Sequence, residues 1–203
     1  MSGGRTRVFE LAHTAEGEDY ELVAATTKEG RAVLGGLGLR RRGDPWAPVE
    51  VELWRLSERG RPLKRADMPM DPSSRALFMR DGAVDVVGPL LAPHGELLGL
   101  SCPDARLVLF NPPTLAGVLD ADRAEFVLFP SSGRIMAITK VMLHSAALAG
   151  VGAFRLAEDP RGRLYVASWL VDAVVATGMS SGTGFKLVFD SDLADGIDLG
   201  SWG

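Results

Sequence analysis

Cysteine is almost missing from this 203-residue chain. Cys102 stands alone, so neither an internal disulfide nor a multi-thiolate metal site can form. A reducing compartment suits that composition. Long apolar runs are missing as well. The opening, MSGGRTRVFELAHTAEGEDYELV, lacks the unbroken apolar segment of a secretory signal. The stretch VMLHSAALAGVGAF is interrupted by His144 and by glycines, well short of the roughly 18 apolar residues of a membrane span. The expected location is therefore the cytoplasm, with no membrane partner. No repeat of twenty to fifty residues and no low-complexity linker divides the chain.

An excess of one charge sign is also lacking over most of the length. The net charge is -4, and the four acids Asp190, Asp192, Asp195 and Asp198 account for all of it, leaving residues 1–189 neutral. A neutral body offers no basic face for nucleic acid. The one dense basic run, Arg40, Arg41 and Arg42, reads as a solvated loop or helix end, with a phosphate contact as the alternative.

What is present is an ordinary globular composition, 46% hydrophobic and 24% charged. A domain of this length buries about 70% of the surface its unfolded chain exposes, so no staple is needed. Residues 8–11 and 20–24 are short β-prone runs around a polar turn and predict a first hairpin. Thr26 or Thr27 can cap a helix reaching Leu34, which Gly35, Gly36 and Gly38 then stop. VEVELWRL alternates apolar and acidic residues, the period of a half-buried strand. A strand at 76–79 leads to Asp81 as the cap of a helix with Val84, Val87 and Leu91 on one face and Pro89 bending it.

GELLGL and LVLFN read as strands, 114–119 as a short helix, and EFVLFP with RIMAITKVML as a hairpin turned by 131–133. SWLVDAVVATG reads as a helix capped by Ser168 and ended by Gly178, between strands at 163–166 and 185–189. Hairpins mix with isolated helices without regular alternation. The expected fold class is thus α+β, a mixed and mainly antiparallel arrangement of sheets with a few short helices. One domain over 1–189 is expected, with a weak subdomain seam near 69–74 and a flexible acidic tail over 190–203.

Motifs for chemistry are sparse. Gly178, Met179, Ser180, Ser181 and Gly182 spell G-x-S-x-G, but a nucleophile elbow needs a strand before and a helix after, and here the order is reversed. His13, His94 and His144 are far apart and lack metal-ligand spacing. The tail aspartates miss the calcium-loop pattern, with Ala194 at the fifth position and Ser201 at the twelfth. The glycines at 35, 36 and 38 spell neither a dinucleotide fingerprint nor a P-loop. Cys102 reads as a small half-buried hydrophobe. No catalytic residue, metal or cofactor is expected.

Four stretches carry a family likeness: WAPVEVELWRLSERGRPLKRADMP, AVDVVGPLLAPHGELLGL, LVLFNPPTLAGVLDADRAEF and GAFRLAEDPRGRLYVASWLVDAVVATGMSSGTGFKLVF. In order and spacing they resemble the eleventh immunity-protein family of bacterial polymorphic toxin systems, formerly a domain of unknown function. PLLAPHGELLGL is the most distinctive. The MSSGTG loop and the pair Pro112 and Pro113 depart from the usual pattern. The resemblance implies a protein without catalytic residues that binds a toxin encoded beside it. The expected partner-binding residues are Asp190, Asp192, Asp195, Asp198 and Trp202, since acids complement a cationic toxin and tryptophan anchors interfaces. Self-association is left open. The alternative from another class is a small hydrolase using Ser180 or Cys102.

Overall fold

The computed structural model describes residues 5–12, 20–71, 76–193, 196–197 and 199. Among these lie twelve strands and four short helices. The strands are β1 (Arg7–Ala12), β2 (Leu22–Ala25), β3 (Val51–Trp54), β4 (Leu77–Arg80), β5 (Glu96–Gly99), β6 (Leu107–Asn111), β7 (Thr114–Leu115), β8 (Glu125–Leu128), β9 (Ile135–Lys140), β10 (Ala153–Leu156), β11 (Tyr165–Ala167) and β12 (Gly184–Asp190). The helices are α1 (Lys28–Gly35), α2 (Gly82–Val86), α3 (Gly88–Leu91) and α4 (Ser168–Ala176). The chain is α+β, and every sheet pairing is antiparallel except β7 with β10.

Five strands form the largest sheet in the order β12-β1-β11-β10-β7, and β4-β6-β5, β2-β3 and β8-β9 form three smaller ones. Side-chain alternation builds the layers. In β4, Leu77 and Met79 enter one core cluster while Phe78 enters another, and in β6, Phe110 and Leu109 divide the same way. Period-two geometry sends successive residues to opposite faces, so β4 is buried on both. The first cluster joins one face of the three-stranded sheet to Leu170, Val171 and Val174 of α4 and to Ala153 and Val166 of the large sheet. The other face of the large sheet, with Val8, Phe154, Tyr165 and Val188, packs on Ile138 of β9, and Leu143 and Leu148 complete that cluster. The third cluster sets Val23, Val51 and Leu34 against Phe78, Leu107 and Leu109.

Several local expectations hold. Thr27 caps α1 by accepting the Gly30 N–H at 3.0 Å. β3 alternates buried and exposed residues as its sequence does. Gly178, with φ +71°, follows the end of α4. The β8–β9 hairpin closes through Gly133 at φ +65°.

Others are overturned. β1 and β2 do not form a hairpin: β1 pairs with β11 and β12, and β2 pairs with β3. Residues 114–119 are not helical. Pro112 and Pro113 hold that backbone extended, and Pro113 and Leu115 accept the N–H groups of Arg155 and Ala157 at 2.9 Å, making β7 a strand. Ser168 is the first residue of α4, not its cap, and Ala167 takes the cap position without a side-chain bond.

Asp81 does not cap α2 either. Its φ of 46° aims the carboxylate away from the helix. There it accepts the Arg106 N–H at 3.0 Å and meets Arg65 at 2.8 Å and Arg80 at 3.2 Å. Pro89 divides the expected helix into α2 and α3.

The expected seam near 69–74 lies partly outside the described residues, at 72–74. Its remainder is a packed strap. Met68 and Met70 are buried, and Met70 O accepts the Val23 N–H at 3.0 Å.

Candidate functional site

Asp190 is the first of the expected partner-binding acids, and the structure buries it. It is the last residue of β12, only 1% exposed, and lies in the ladder opposite Arg7. Arg5 grips its carboxylate from Nε at 2.9 Å and from Nη2 at 2.5 Å, and the Asp192 N–H donates to it at 3.1 Å. The Arg5 hydrogen bond holds the Asp190 carboxyl below the usual carboxylate range, against the opposing effect of burial. The ordered domain therefore includes Asp190 and does not stop at 189.

Asp192 is exposed and lies 3.3 Å from the same arginine. Asp195, Asp198 and Trp202 lie outside the described residues. The tail is docked where it is described: Leu199 donates its N–H to Thr139 O at 3.0 Å and packs on the second core cluster.

This clamp sets a pH dependence. A carboxyl whose folded pKa is lowered stabilises the fold fully above its ordinary value, 3.8, and that contribution disappears as the pH falls through the folded value. Asp190→Asn should lower the melting temperature at pH 7. The gap to the parent protein should close as the pH drops below 3.8, and melting curves from pH 7 downward check this.

The G-x-S-x-G run is a connector. Ser181, not Ser180, carries its side-chain bonds, donating to Asp67 Oδ2 at 2.7 Å and accepting the Asp67 N–H at 2.9 Å. Gly182 has φ +91°, and a Cβ there would stand 2.7 Å from Ala66 Cβ. Glycine is required for that close approach. Ser180 accepts the Thr183 N–H at its carbonyl. His94 sits edge-on to Trp169, with 5.0 Å between ring centroids, and packs on Gly152. His13 lies outside the described residues. Cys102 is half-buried against the third core cluster. Among the described residues no group of three or more His, Cys, Asp or Glu is placed to hold a metal, and no helix is long and apolar enough to cross a membrane.

The surface that stands out is the β8–β9 hairpin. Val127, Leu128, Phe129 and Met136 are all exposed, Met136 by 51%. Their neighbours Phe126, Ile135 and Ile138 turn inward to the second cluster, which anchors the hairpin on the body. Phe129 and Met136 line a cavity of about 690 Å³ together with Leu39, Pro160, the cations Arg134 and Arg161 and the acids Glu158 and Asp159. Neither Arg134 nor Arg161 forms an ion pair among the described residues. Aromatic, methionine and arginine side chains are the types enriched in protein interfaces.

None of these residues was singled out from sequence. The available signal was EFVLFP, whose unbroken apolar run exceeds the alternation of a half-buried strand. Such a run fits either burial on both faces or an apolar exposed face, and only packing distinguishes them. No family model matches this chain and no curated protein matches it, which leaves the likeness to the immunity family resting on its own sequence stretches.

Proposed function

We propose that this protein is a cytoplasmic immunity protein that neutralises a bacterial toxin, encoded beside it, by direct contact through the face of the β8–β9 hairpin. The observation that carries the reading is the group of exposed apolar side chains at Val127, Leu128, Phe129 and Met136, with Leu39 across the adjoining cavity. Exposed apolar patches of this kind on soluble proteins mark sites that a partner covers. Among the described residues β8 pairs with β9 alone, so an unpaired strand edge accompanies the patch. The family resemblance supplies the partner class.

The rim is mixed in charge, with Arg134 and Arg161 beside Glu158 and Asp159. Arg134 and Arg161 call for carboxylates or backbone carbonyls on the partner. Phe129 and Met136 supply the buried anchors, and a stable complex covers about 1,600 Å² in total, more than the hairpin alone presents. Acids of the tail add long-range steering where they are exposed, as Asp192 is.

Co-expression with the neighbouring toxin domain tests the reading. The parent protein should restore growth and co-purify with the toxin in equal amounts. Phe129→Asp with Met136→Asp should weaken binding at least about a hundredfold, the loss expected from two interface anchors, while the melting temperature stays near the parent value. Retained protection in that variant, or no protection by the parent, would sink the proposal. A variant that lost only self-association would assign the hairpin to a second copy of the chain.

A further inference from the structure

Helix α4 is apolar almost all round and yet half uncovered. Its nine residues, SWLVDAVVA, hold one charge, Asp172. Leu170, Val171 and Val174 belong to the first core cluster, while Trp169 and Val175 are exposed by 49% and 51%. A surface helix ordinarily turns a polar face outward, and one that is apolar on all sides is one that something covers.

The uncovered side continues onto a second helical surface. His94, just beyond α3, meets the Trp169 ring edge-on. Val86, Pro89 and Pro93, at three- and four-residue steps, run from α2 through α3 into the turn beyond, and all are exposed. Residues 82–93 also hold a single charge, Asp85, which is paired with Arg106 at 2.5 Å. Charge depletion around an exposed tryptophan is the composition of an interface centre, and of homodimer interfaces above all. The anionic surface of a membrane suits this face less well, because its unpaired charge, Asp172, is an acid.

The face is complementary to itself. Arg7 shares the α4 side of β1 with Phe9 and Leu11, by the two-residue period of a strand. It is exposed and forms no ion pair among the described residues, since Asp190, opposite it in the ladder, is held by Arg5. Asp172 is likewise exposed and without an ion pair among the described residues. One surface thus carries a cation and an acid that do not pair with each other. Beside them, Trp169 borders a cavity of about 210 Å³ with Ala149 and Val151. That is below the about 300–1,000 Å³ of small-molecule sites and fits one large side chain. Seventeen residues of 82–93 and 168–179 are exposed or half-buried. With Arg7, His94, Leu97 and Ala149 alongside, they reach the about 20–30 residues that a standard interface takes from each side.

We infer that this face binds a second copy of the chain in a two-fold dimer. Asp172 of each copy pairs with Arg7 of the other, and each Trp169 sits at the other copy's cavity, because every contact across a two-fold axis occurs twice. The dimer does not rest on the toxin-binding reading. Helix α4 and the β8–β9 hairpin pack on opposite faces of the large sheet, so both hairpins stay open in the dimer.

Sedimentation equilibrium across about 1–100 µM tests it, and the parent should reach twice the mass of one chain within that range. Val175→Glu, at an exposed position that does not threaten folding, should weaken association at least about a hundredfold, since it buries an unpaired charge twice per dimer. Asp172→Arg and Arg7→Glu should each be monomeric alone, because each sets like charges together twice. An equimolar mixture of those two variants should dimerise again, because the charges then match in both pairs. Val175→Glu decides the face even where Arg7→Glu, opposite Asp190, lowers the melting temperature. A parent that is monomeric throughout, or a dimer indifferent to Val175→Glu, overturns the proposal, and a monomeric parent that binds phosphatidylcholine vesicles assigns the face to lipid instead. Failure of the mixture to dimerise, with both variants folded by circular dichroism, overturns the two-fold arrangement.

Discussion

Arg163→Ala is expected to lower the stability of this protein by about 3–5 kcal/mol, the cost of leaving a buried charge without its partner. At this chain length that corresponds to a fall in melting temperature on the order of 10 °C. Arg163 is buried in the segment leading into β11, with Nε 2.7 Å from Glu10 Oε2 on β1 and Nη1 donating to Ile138 O on β9 at 3.0 Å. One side chain thus ties the first strand, the hairpin and the penultimate strand together. Alanine removes the cation that faces Glu10 and a donor that satisfies a carbonyl at the base of the hairpin.

The same interior holds Tyr165, whose phenol burial pushes above its usual range while the nearby Arg163 draws it back. It stays neutral, with Glu10 and Asp159 both adding to the upward push. Replacing both partners, Glu10→Gln with Arg163→Met, should recover most of the loss, because no uncompensated charge is left behind. Urea denaturation of the parent and the two variants measures this. A single variant as stable as the parent would mean that water reaches Glu10 freely.

Gly38→Ala should be comparably damaging for a steric reason. A Cβ at that position would stand 1.6 Å from Pro160 O, 2.6 Å from Pro160 C and 2.9 Å from Arg155 Cδ. The obstacle is mainly backbone and cannot rotate away. Overpacking of a core by extra methylenes costs about 1–3 kcal/mol, and a backbone collision belongs at or above the upper end. Arg155 is itself only 1% exposed and donates from Nη1 to Gly162 O at 2.7 Å, so it has little room to yield.

Gly35→Ala, three residues earlier, is the matched control. Nothing lies within 4 Å of its Cβ, and alanine in a helix is better than glycine by up to about 1 kcal/mol. Melting temperatures should therefore move in opposite directions for two glycines of one GGLG run. Equal and small effects would show that the 38–160 approach relaxes at little cost.

Those two glycines show what kind of information the chain carries locally. GGLG announces a helix stop, and α1 does end there. Which glycine is pressed against a distant proline is not in the four letters. Asp81 makes the same point. An aspartate before a helix is a good cap by local rules, yet the carboxylate meets Arg65 from a distant segment, the preceding Arg80 and the Arg106 N–H, and its backbone takes a positive φ. The candidate docking surface was legible only as an apolar run too long for its strand.

Sequence alone determined the α+β class, a threonine cap at Thr26 or Thr27, the alternation of β3, the β8–β9 hairpin and the helix at 168–176, because each depends on neighbours within a few residues, where periodicity and capping act. Tertiary structure decided that β1 sits between β11 and β12, that Asp190 is held in the interior by Arg5, that β7 is a strand and that the hairpin leaves an apolar face uncovered. Each of those outcomes depends on which distant segment arrives opposite a residue. A strand's side-chain period says which faces are apolar, but not what will cover them.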